Sequence, residues 1–452
     1  MLGNLPWMTC LLTLLLPAAL WGQSQGSISF SRGSFLSPDY NLTDTREFNY
    51  LSGRFSNSPG PAQSSGFFTD MELQLSPGVP VLSYLNPAEF YWKSPLFAQD
   101  QSLSLGRRRY TWSSLDERWG LGLFQPQFRW NPISPESQGM TGLFWQTANR
   151  KSQMPFSILL FASPFFVPDQ GAGYEIENGT FAKSNPYFRT PPSQARLRGQ
   201  TDAVNYSIEK PDTLDVVQNN SLAAEVQLGN PTQGIYFGTS LAYKPSNQLA
   251  MAFQGYISPN SSVEVQVLPA VYYHTLAAGD LGYASGNSKI GIGFIQETPI
   301  DPKYSSEWTY IKYSASQMVS PYLALDFRGV LTEVSYLKIQ GAEESITGPM
   351  SGSATTLLPS RYSFGNAYAL SVKGTLIRWQ QNQLHAEAKY QRGERGEFNH
   401  WLGQLKILTR KDWSFALNFD FIAIDDSEAS KKTLAEKYQN NDSIALGVGY
   451  VF

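Results

Sequence analysis

Three consecutive arginines, Arg107, Arg108 and Arg109, form the densest group of positive charge in the sequence, within SLGRRRYTW. Successive side chains of a β-strand point to opposite faces, so Arg107 and Arg109 are predicted to share one face. Arg108 would then share the other face with Tyr110 and Trp112. Guanidinium groups along a narrow passage would favour anions, and the two aromatic rings would lie at a membrane interface.

A second basic candidate is Arg129, which shares a strand face with two glutamines. Acidic residues follow in a later segment, at Asp169, Glu175 and Glu177. An acidic loop opposite a basic wall would set a field across a passage. The alternative is that the arginines only pair with carboxylates and support the fold, and that the acidic residues are solvated loop charges.

Catalytic and metal chemistry have few residues to draw on. The chain has three histidines, His274, His385 and His400, and one cysteine, Cys10. His385 and Glu387 share a strand face about 7 Å apart, but no Ser–His pattern typical of a hydrolase accompanies them. We therefore expect no enzyme activity, no metal site and no cofactor.

The composition excludes several other classes of protein. The chain has 452 residues, of which only 16% are charged and 14% are aromatic, with a net charge of −3. This balance gives no basic surface for nucleic acid. The mean hydropathy of −0.28 and the lack of an apolar run of about 18 residues beyond residue 22 argue against a helical membrane protein.

Residues 1–22 resemble a secretory signal peptide. They carry no charge, have an apolar core over residues 10–20, and end in small residues. A single N-terminal anchor helix is the alternative. Cys10 lies inside this segment, so an exported, processed chain would contain no cysteine.

The dominant pattern of the remaining chain is a period of two. In residues 413–423, WSFALNFDFIA, and in 384–391, LHAEAKYQ, apolar side chains alternate with polar ones. The same alternation occurs in residues 67–75, 221–228 and 263–267. The segments are about 8–13 residues long, which suits a tilted membrane-spanning strand of about 9–11 residues better than the usual soluble strand.

The links between these segments tend to alternate in length, as in a transmembrane barrel with short turns at one end and long loops at the other. Short links are predicted at 328–329, 380–383 and 409–411, and long ones at 340–363, 391–399 and 424–442. The rhythm fails at two places that should be long but look short, 244–247 and 316–321.

Two regions lack sustained alternation. Residues 23–64 are rich in small and polar residues, with at most one strand near 46–55, and could form a tail, a plug or extra strands. Residues 163–220 contain repeated prolines and are too long for an ordinary link in a compact domain. This second region is predicted to be an outer loop or an inward constriction.

The last ten residues, Ser443 to Phe452, read SIALGVGYVF and contain Gly447-x-x-Tyr450-x-Phe452. This segment resembles the C-terminal signature of Gram-negative outer-membrane β-barrel proteins, a final amphipathic strand that ends in an aromatic residue. The resemblance implies a porin-like barrel in the bacterial outer membrane, inserted by the barrel-assembly machinery. No specific family within this group is identified.

The sequence therefore predicts an all-β fold, a transmembrane antiparallel up-and-down β-barrel of about 18 strands within a range of about 14–20. Residues 1–22 would be the signal peptide, 23–64 an N-terminal polar segment, and 65–452 the barrel.

The function predicted from this fold is a passive pore for small hydrophilic solutes. A plugged barrel for one specific, even hydrophobic, solute and a structural or adhesive surface protein are the alternatives. The expected partners are the outer-membrane lipid bilayer, the assembly machinery and small solutes, with no nucleic acid; a homo-oligomer is left open.

Overall fold

The structure is a computed structural model that describes residues 23–452, except 37–46, 59–64, 97–99, 133, 150–153, 172–175, 182–190, 192, 198, 210, 260–261, 350–361, 363–364, 395–397 and 425–441. The predicted signal peptide at residues 1–22 lies outside the described residues.

Eighteen antiparallel strands form one closed sheet, in which each strand pairs with its neighbours along the chain and the last pairs with the first. This confirms the predicted barrel. The strands are β1 (Gln23–Phe35), β2 (Glu47–Ser58), β3 (Gly66–Leu75), β4 (Tyr84–Pro95), β5 (Gln101–Arg108), β6 (Met140–Asn149), β7 (Phe156–Ser163), β8 (Ser221–Asn230), β9 (Gln233–Pro245), β10 (Tyr273–Ser285), β11 (Ser288–Ile300), β12 (Ser316–Phe327), β13 (Val330–Gly341), β14 (Ala367–Trp379), β15 (Asn382–Gly393), β16 (Phe398–Leu408), β17 (Trp413–Ile424) and β18 (Ser443–Val451).

The barrel has a turn end and a loop end. At the turn end, which also holds Phe452, four of the links contain only two residues, 231–232, 286–287, 328–329 and 380–381. At the loop end the longest links are 109–139, 164–220, 246–272 and 342–366. This asymmetry is the one predicted from the sequence and is typical of outer-membrane barrels.

The exterior of the barrel is apolar and is bordered by aromatic side chains at both ends. Large aliphatic residues are exposed along the strands, including Leu446 at 66%. At the turn end the exposed rings include Phe67, Phe327, Trp413, Tyr450 and Phe452. At the loop end rings of neighbouring strands pair, as Tyr243–Tyr273, Tyr336–Tyr368 and Tyr390–Trp401. An apolar band between two aromatic belts is the exterior of a barrel in an outer membrane.

Closure explains why the sheet can lie in lipid, where no partner exists for an unpaired backbone group. β18 pairs with β1 from Phe35 opposite Ser443 to Ser27 opposite Val451. Beyond the strand, Gly26 and Phe452 exchange two backbone hydrogen bonds of 2.8 and 2.9 Å. In the residues that the structure describes, no helix is long and apolar enough to cross a membrane.

The structure differs from the sequence-based expectation in three places. Residues 23–58 contribute β1 and β2, so the barrel begins well before residue 65. The alternation at 263–267 belongs to a strand outside the barrel, because the link after β9 does not end at residue 247 but extends to residue 272. No link exists at 316–321, which lies inside β12.

A second sheet of six short strands covers part of the loop end and has a small core of its own around Val204, Tyr206, Phe253 and Val265. Its strands come from four links at the loop end, 164–220, 246–272, 301–315 and 342–366. In sheet order they are Gln194–Leu197, Gln200–Ile208, Val263–Ala270, Ala250–Ile257, Thr309–Tyr313 and Glu344–Thr347. Polar and apolar residues alternate in the same way in a membrane-spanning strand and in a strand of this second sheet. For this reason residues 263–267 were wrongly predicted to be part of the barrel.

One long link enters the barrel instead of covering it. Residues 109–139, which join β5 to β6, are called the inward segment here. They contain the helix α1 (Ser114–Trp119) and the short strands Gln127–Arg129 and Glu136–Ser137. Gln170–Gly171, from the link between β7 and β8, pairs with Gln127–Arg129. A second short helix in that link, α2 (Thr213–Val217), has no buried residue.

Candidate functional site

The helix of the inward segment, α1, is fixed at its first residue to the barrel wall. The Ser113 hydroxyl accepts a hydrogen bond from the Asp116 N–H and caps α1. Asp280, on the lumen face of β10, accepts hydrogen bonds from the Ser114 N–H at 3.2 Å and from the Ser114 hydroxyl. α1 ends at Gly120, whose φ of 61° suits glycine.

The other end of α1 is attached to the same side of the barrel, on β12 and β13, which lie two and three strands beyond β10 in the sheet. Trp119 Nε1 donates to Ser320 Oγ on β12 at 2.9 Å. Arg118 Nε donates to Glu333 Oε1 on β13 at 2.7 Å, and its guanidinium lies 3.6 Å from the centre of the Tyr322 ring. These contacts hold the helix against the lumen wall from β10 to β13.

Asp116 ties α1 to the chain that follows it. Its carboxylate is buried and accepts hydrogen bonds from the N–H groups of Leu123 at 3.1 Å and Phe124 at 2.9 Å. Burial raises the pKa of Asp116, while these N–H groups and the nearby Lys244 ammonium oppose that rise. Lys244 in turn donates to Asn247 Oδ1 at 2.6 Å and to the Leu123 carbonyl at 3.4 Å.

One half of the lumen wall is apolar and is covered by the inward segment. The segment contributes Trp112, Leu115, Trp119, Leu123 and Phe124 to a single buried cluster. Most of the wall residues in the cluster come from β6 to β14, and one comes from β17; they are Met140, Phe144, Leu159, Phe161, Ala223, Ala242, Leu276, Ala278, Ile295, Met318, Leu337, Ala367, Ala369 and Ile422. The inward segment is therefore packed on this side and not loosely suspended.

The opposite part of the wall, on β18, β1 and β2, is lined by small side chains. We call it the small-residue wall. The register of these strands puts its members on the lumen face, opposite the exposed Ile28 and Leu446, and the serines are only half-buried. They are Ser27, Ser29, Ser31, Ser52, Ala445, Gly447 and Gly449.

Charged residues lie beside this wall in an ion-pair network. Arg54 binds both oxygens of Asp70, at 2.9 and 2.8 Å. Arg109 reaches the same carboxylate at 2.5 Å and also Glu89 at 3.1 Å. The side chain of Arg54 remains 49% exposed and that of Arg109 32% exposed.

The parity expected for the three arginines is wrong. Arg108 does not face lipid: its guanidinium donates to Ser104 Oγ at 3.3 Å and Gln146 Oε1 at 3.0 Å inside the barrel. Arg107 is also buried, donating to the Gly139 carbonyl and to the Gln138 side chain. The prediction assigned the faces of β5 the wrong way round: Leu105 is 58% exposed on the lipid face, so Arg108, three residues later, falls on the lumen face and pairs with Met140 of the buried cluster.

The aromatic residues that follow the arginines are not at a membrane interface either. Trp112 is 3% exposed and belongs to the lumen cluster, and Tyr110 packs against it. Both lie in the inward segment rather than in a spanning strand.

Arg129 does meet an acidic residue of the link between β7 and β8. Its Nε donates to Asp169 Oδ2 at 2.6 Å, and the Gln127 N–H donates to Asp169 Oδ1 at 2.7 Å. The contact fixes the two inward chain segments to each other, and only 16% of the Arg129 side chain is exposed. Glu175 lies outside the described residues, and the structure describes only the backbone of Glu177.

The histidines are parts of the barrel wall. His274 Nδ1 lies 2.5 Å from Glu297 Oε1, and His400 Nε2 lies 2.8 Å from Asp420 Oδ1, with all four side chains buried. His385 is half-buried on the lumen face of β15. Within the described ranges, no group of three or more His, Cys, Asp or Glu side chains is arranged to hold a metal ion.

A chamber of about 690 Å³ lies between α1 and the turn end. Its lining mixes acidic, basic and aromatic side chains: Glu117, Glu225, Asp280, Arg109, Lys289, Tyr110, Trp112 and Tyr236. Gly238 and Ser240 form part of its floor on β9. Burial raises the pKa of Glu117, whose carboxylate accepts a hydrogen bond from Thr111.

The chamber was missed in the sequence. The alternation of residues 221–228 places Glu225 on the polar face, and the register puts it beside Ser240. No local signal shows that residues 109–117 meet Glu225 and Asp280, which are more than a hundred positions away.

The C-terminal signature residues occupy the seam of the barrel. Gly447 faces the lumen opposite Ser31, and a Cβ there would lie 2.8 Å from the Ser31 hydroxyl. Tyr450 and Phe452 face outward in the turn-end belt. The Tyr450 and Trp413 rings meet edge-on there, with 5.6 Å between their centres. The Phe452 ring covers Gly26, whose missing Cβ leaves room for it.

Comparison with known proteins gives structural neighbours only. No protein family matches the chain, and no curated protein matches it in sequence. The structure is similar to Wzi of Escherichia coli, an outer-membrane protein involved in group 1 capsule assembly and described as a carbohydrate-binding β-barrel, with 12% identity, a TM-score of 0.45, and 97% of this chain and 86% of that chain covered.

Two Pseudomonas aeruginosa proteins are similar to the same degree. OccK3 (OpdO) has 10% identity and a TM-score of 0.46, covering 95% of this chain and 96% of that one. OprD has 10% identity and a TM-score of 0.42, covering 95% of each chain. At this level of similarity the neighbours assign no function to this chain.

Proposed function

We propose that the protein is an outer-membrane channel through which small hydrophilic solutes diffuse passively. The observation that carries the proposal is the asymmetry of the lumen: the inward segment seals the apolar half, and the small-residue wall leaves a polar half. Serine and glycine side chains take little space and present hydroxyl and backbone groups to water. A hydrated solute fits such a surface better than an apolar one.

The proposal requires no cofactor and no catalytic group. Arg54, Arg109 and Arg118 are held in ion pairs with carboxylates of the wall, and the two buried histidines also pair with wall carboxylates. Diffusion needs only a continuous polar path, whose width is set by the position of the inward segment. We propose that the protein acts without enzymatic chemistry.

Among the arginines predicted to set ion preference, Arg109 remains the strongest candidate. It lines the chamber and is 32% exposed, whereas Arg107 is 9% exposed and the Arg129 side chain is 16% exposed. The charge of Arg109 is balanced by Asp70 and Glu89, so we propose a weak ion preference rather than a strong one.

In the outer membrane the turn end would face the periplasm and the loop end the outside. The lipid bilayer contacts the apolar band. We propose that the barrel-assembly machinery reads the segment that ends in Tyr450 and Phe452.

The experiment is conductance of the purified protein in planar lipid bilayers. Ser29 lies in the middle of the small-residue wall, so Ser29→Trp should narrow the polar half and lower the conductance. Ile28→Trp is the matched control, because Ile28 is 54% exposed on the lipid face. No conductance from the folded wild type, or equal conductance from Ser29→Trp, would contradict the proposal.

A plugged barrel for one specific solute is the second candidate, and the inward segment favours it. Five large apolar residues of that segment are buried against the wall, which is the behaviour of a fixed plug. A plugged barrel would conduct little until the segment is displaced, whereas a diffusion channel conducts in the native state. Folded protein that never conducts would instead favour the structural or adhesive role, with the six-stranded sheet at the loop end as its exposed surface.

A further inference from the structure

The chamber beneath α1 contains a carboxylate with unused hydrogen-bonding capacity. Glu225 is 9% exposed, and among the described residues its Oε2 atom has no hydrogen-bond partner. A buried acceptor without a partner is costly, and more so when it belongs to a charged group. A bound donor would remove that cost.

The other two carboxylates of the chamber are already engaged. Both oxygens of Asp280 accept hydrogen bonds from Ser114, and Glu117 accepts one from Thr111. They nevertheless keep the surroundings of Glu225 negative. Glu225 is therefore the carboxylate that can take a donor from a solute.

The two cations of the chamber do not neutralise Glu225. Arg109 pairs with Asp70 and Glu89, which lie on other strands. Lys289 has its ammonium 4.7 Å from the centre of the Tyr236 ring and lies nearer the turn end. The pairing of Glu225 with Ser240, of Ser240 with Ala278 and of Ala284 with Lys289 offsets the backbones of Glu225 and Lys289 by six residues along β10, about 20 Å.

Aromatic side chains complete the surface. Tyr110 interacts with the Glu225 carboxylate, and Trp112 and Tyr236 also line the chamber. The faces of such rings attract cations, and a carboxylate beside them adds a charged acceptor.

We propose that the chamber is a binding site for a small solute carrying a protonated amine, with the ammonium group on Glu225. The inference rests on the proposed function, because the solute reaches the chamber through the lumen.

The site can be tested with two sugars that differ in one group. Glucosamine carries an ammonium group at neutral pH and glucose carries a hydroxyl in its place. Binding is measured by isothermal titration calorimetry on the full chain in detergent. A hydrogen bond to a charged group contributes about 1.5–3 kcal/mol, so glucosamine should bind at least about tenfold more tightly than glucose. Glu225→Gln, which keeps the shape and removes the charge, should abolish that difference.

A steric variant gives an independent readout. Gly238 faces the chamber, and a Cβ there would meet only Asp280 Cβ at 3.9 Å. Gly238→Leu should therefore fill the chamber without distorting the strand. It should lower glucosamine affinity at least about tenfold. Gly279→Leu is the matched control, because Gly279 is on the lipid face of the neighbouring strand and equally open. It should bind as the wild type does.

Bilayer conductance of the same preparations separates this inference from the proposed function. Glucosamine binding that depends on Glu225, in a protein that does not conduct, would support the site and contradict the channel. A conducting protein that binds glucosamine and glucose equally, or whose Glu225→Gln variant keeps the preference, would overturn the site and leave the channel intact.

Discussion

Removing the Trp119 side chain should release the inward segment without opening the barrel. Trp119 is 4% exposed, lies in the lumen cluster, and donates its Nε1 hydrogen to Ser320 at 2.9 Å. It takes no part in the strand pairing that closes the sheet. Trp119→Ala therefore acts on the attachment of α1 to the wall, and the eighteen-stranded sheet should remain folded.

The magnitude follows from burial. A tryptophan-to-alanine change in a packed core costs about 3–5 kcal/mol, including the cavity it leaves. Loss of a typical hydrogen bond costs about 1 kcal/mol. This cost and the cost of the cavity are not additive. Even about 3 kcal/mol shifts the equilibrium between attached and released segment by roughly a hundredfold. Trp119→Phe keeps most of the apolar contact and should shift it by only about fivefold.

Single-channel recording in planar bilayers measures this equilibrium. We expect a single stable conductance level for the wild type and larger, fluctuating levels for Trp119→Ala, with Trp119→Phe closer to the wild type. Trp401→Ala is the control, since its ring is 51% exposed on the lipid face. Traces of Trp119→Ala that match the wild type, in folded protein, would refute the idea that the segment limits the pathway.

Three further predictions concern the seam, the exterior and the ion pairs. Phe452→Asp should reduce the amount of heat-modifiable barrel in outer-membrane fractions on gels, because it puts a charge in the turn-end belt; normal levels would contradict the assembly role. Leu446→Arg should destabilise the barrel by about 2–4 kcal/mol in urea unfolding from lipid vesicles, and Ala445→Arg, on the lumen face, much less; equal effects would show that the strand does not span. Asp70→Asn should move the reversal potential of the channel toward anions, because it leaves two arginines with less compensating charge; a shift toward cations would contradict the lumen position of that network.

The barrel itself could be predicted because its main signal is local. Alternation along residues 413–423 and 384–391 reports directly which side chains face lipid, and the structure has those residues in β17 and β15. The C-terminal segment has its aromatic residues outside, as its alternation requires. Closure then follows from the bilayer, which excludes a free sheet edge.

The interior could not be predicted in the same way because it depends on contacts between distant residues. Alternation does not say which face is the lumen: the prediction put Arg108 on the outer face, whereas Leu105, on the opposite face of β5, is the residue exposed to lipid. Trp112 was predicted to lie at the membrane interface because aromatic residues are common there. They are equally common in buried clusters, so the residue type alone does not distinguish the two positions. The position of Trp112 depends on α1 reaching Asp280, a contact that spans 166 positions.

The apolar half of the lumen makes the inward segment a structural requirement. Phe144, Leu159 and Ile295 point into the barrel and would face water if the segment were absent, at a cost of about 25 cal/mol for each Å² exposed. The apolar side chains of the inward segment and of the wall bury each other, so the wall and the segment stabilise each other. A solute cannot pass on that side without breaking this core. The proposed pathway past the inward segment therefore follows the small-residue wall, and its selectivity should respond to Arg54, Asp70 and other groups facing that side more than to changes in the buried cluster.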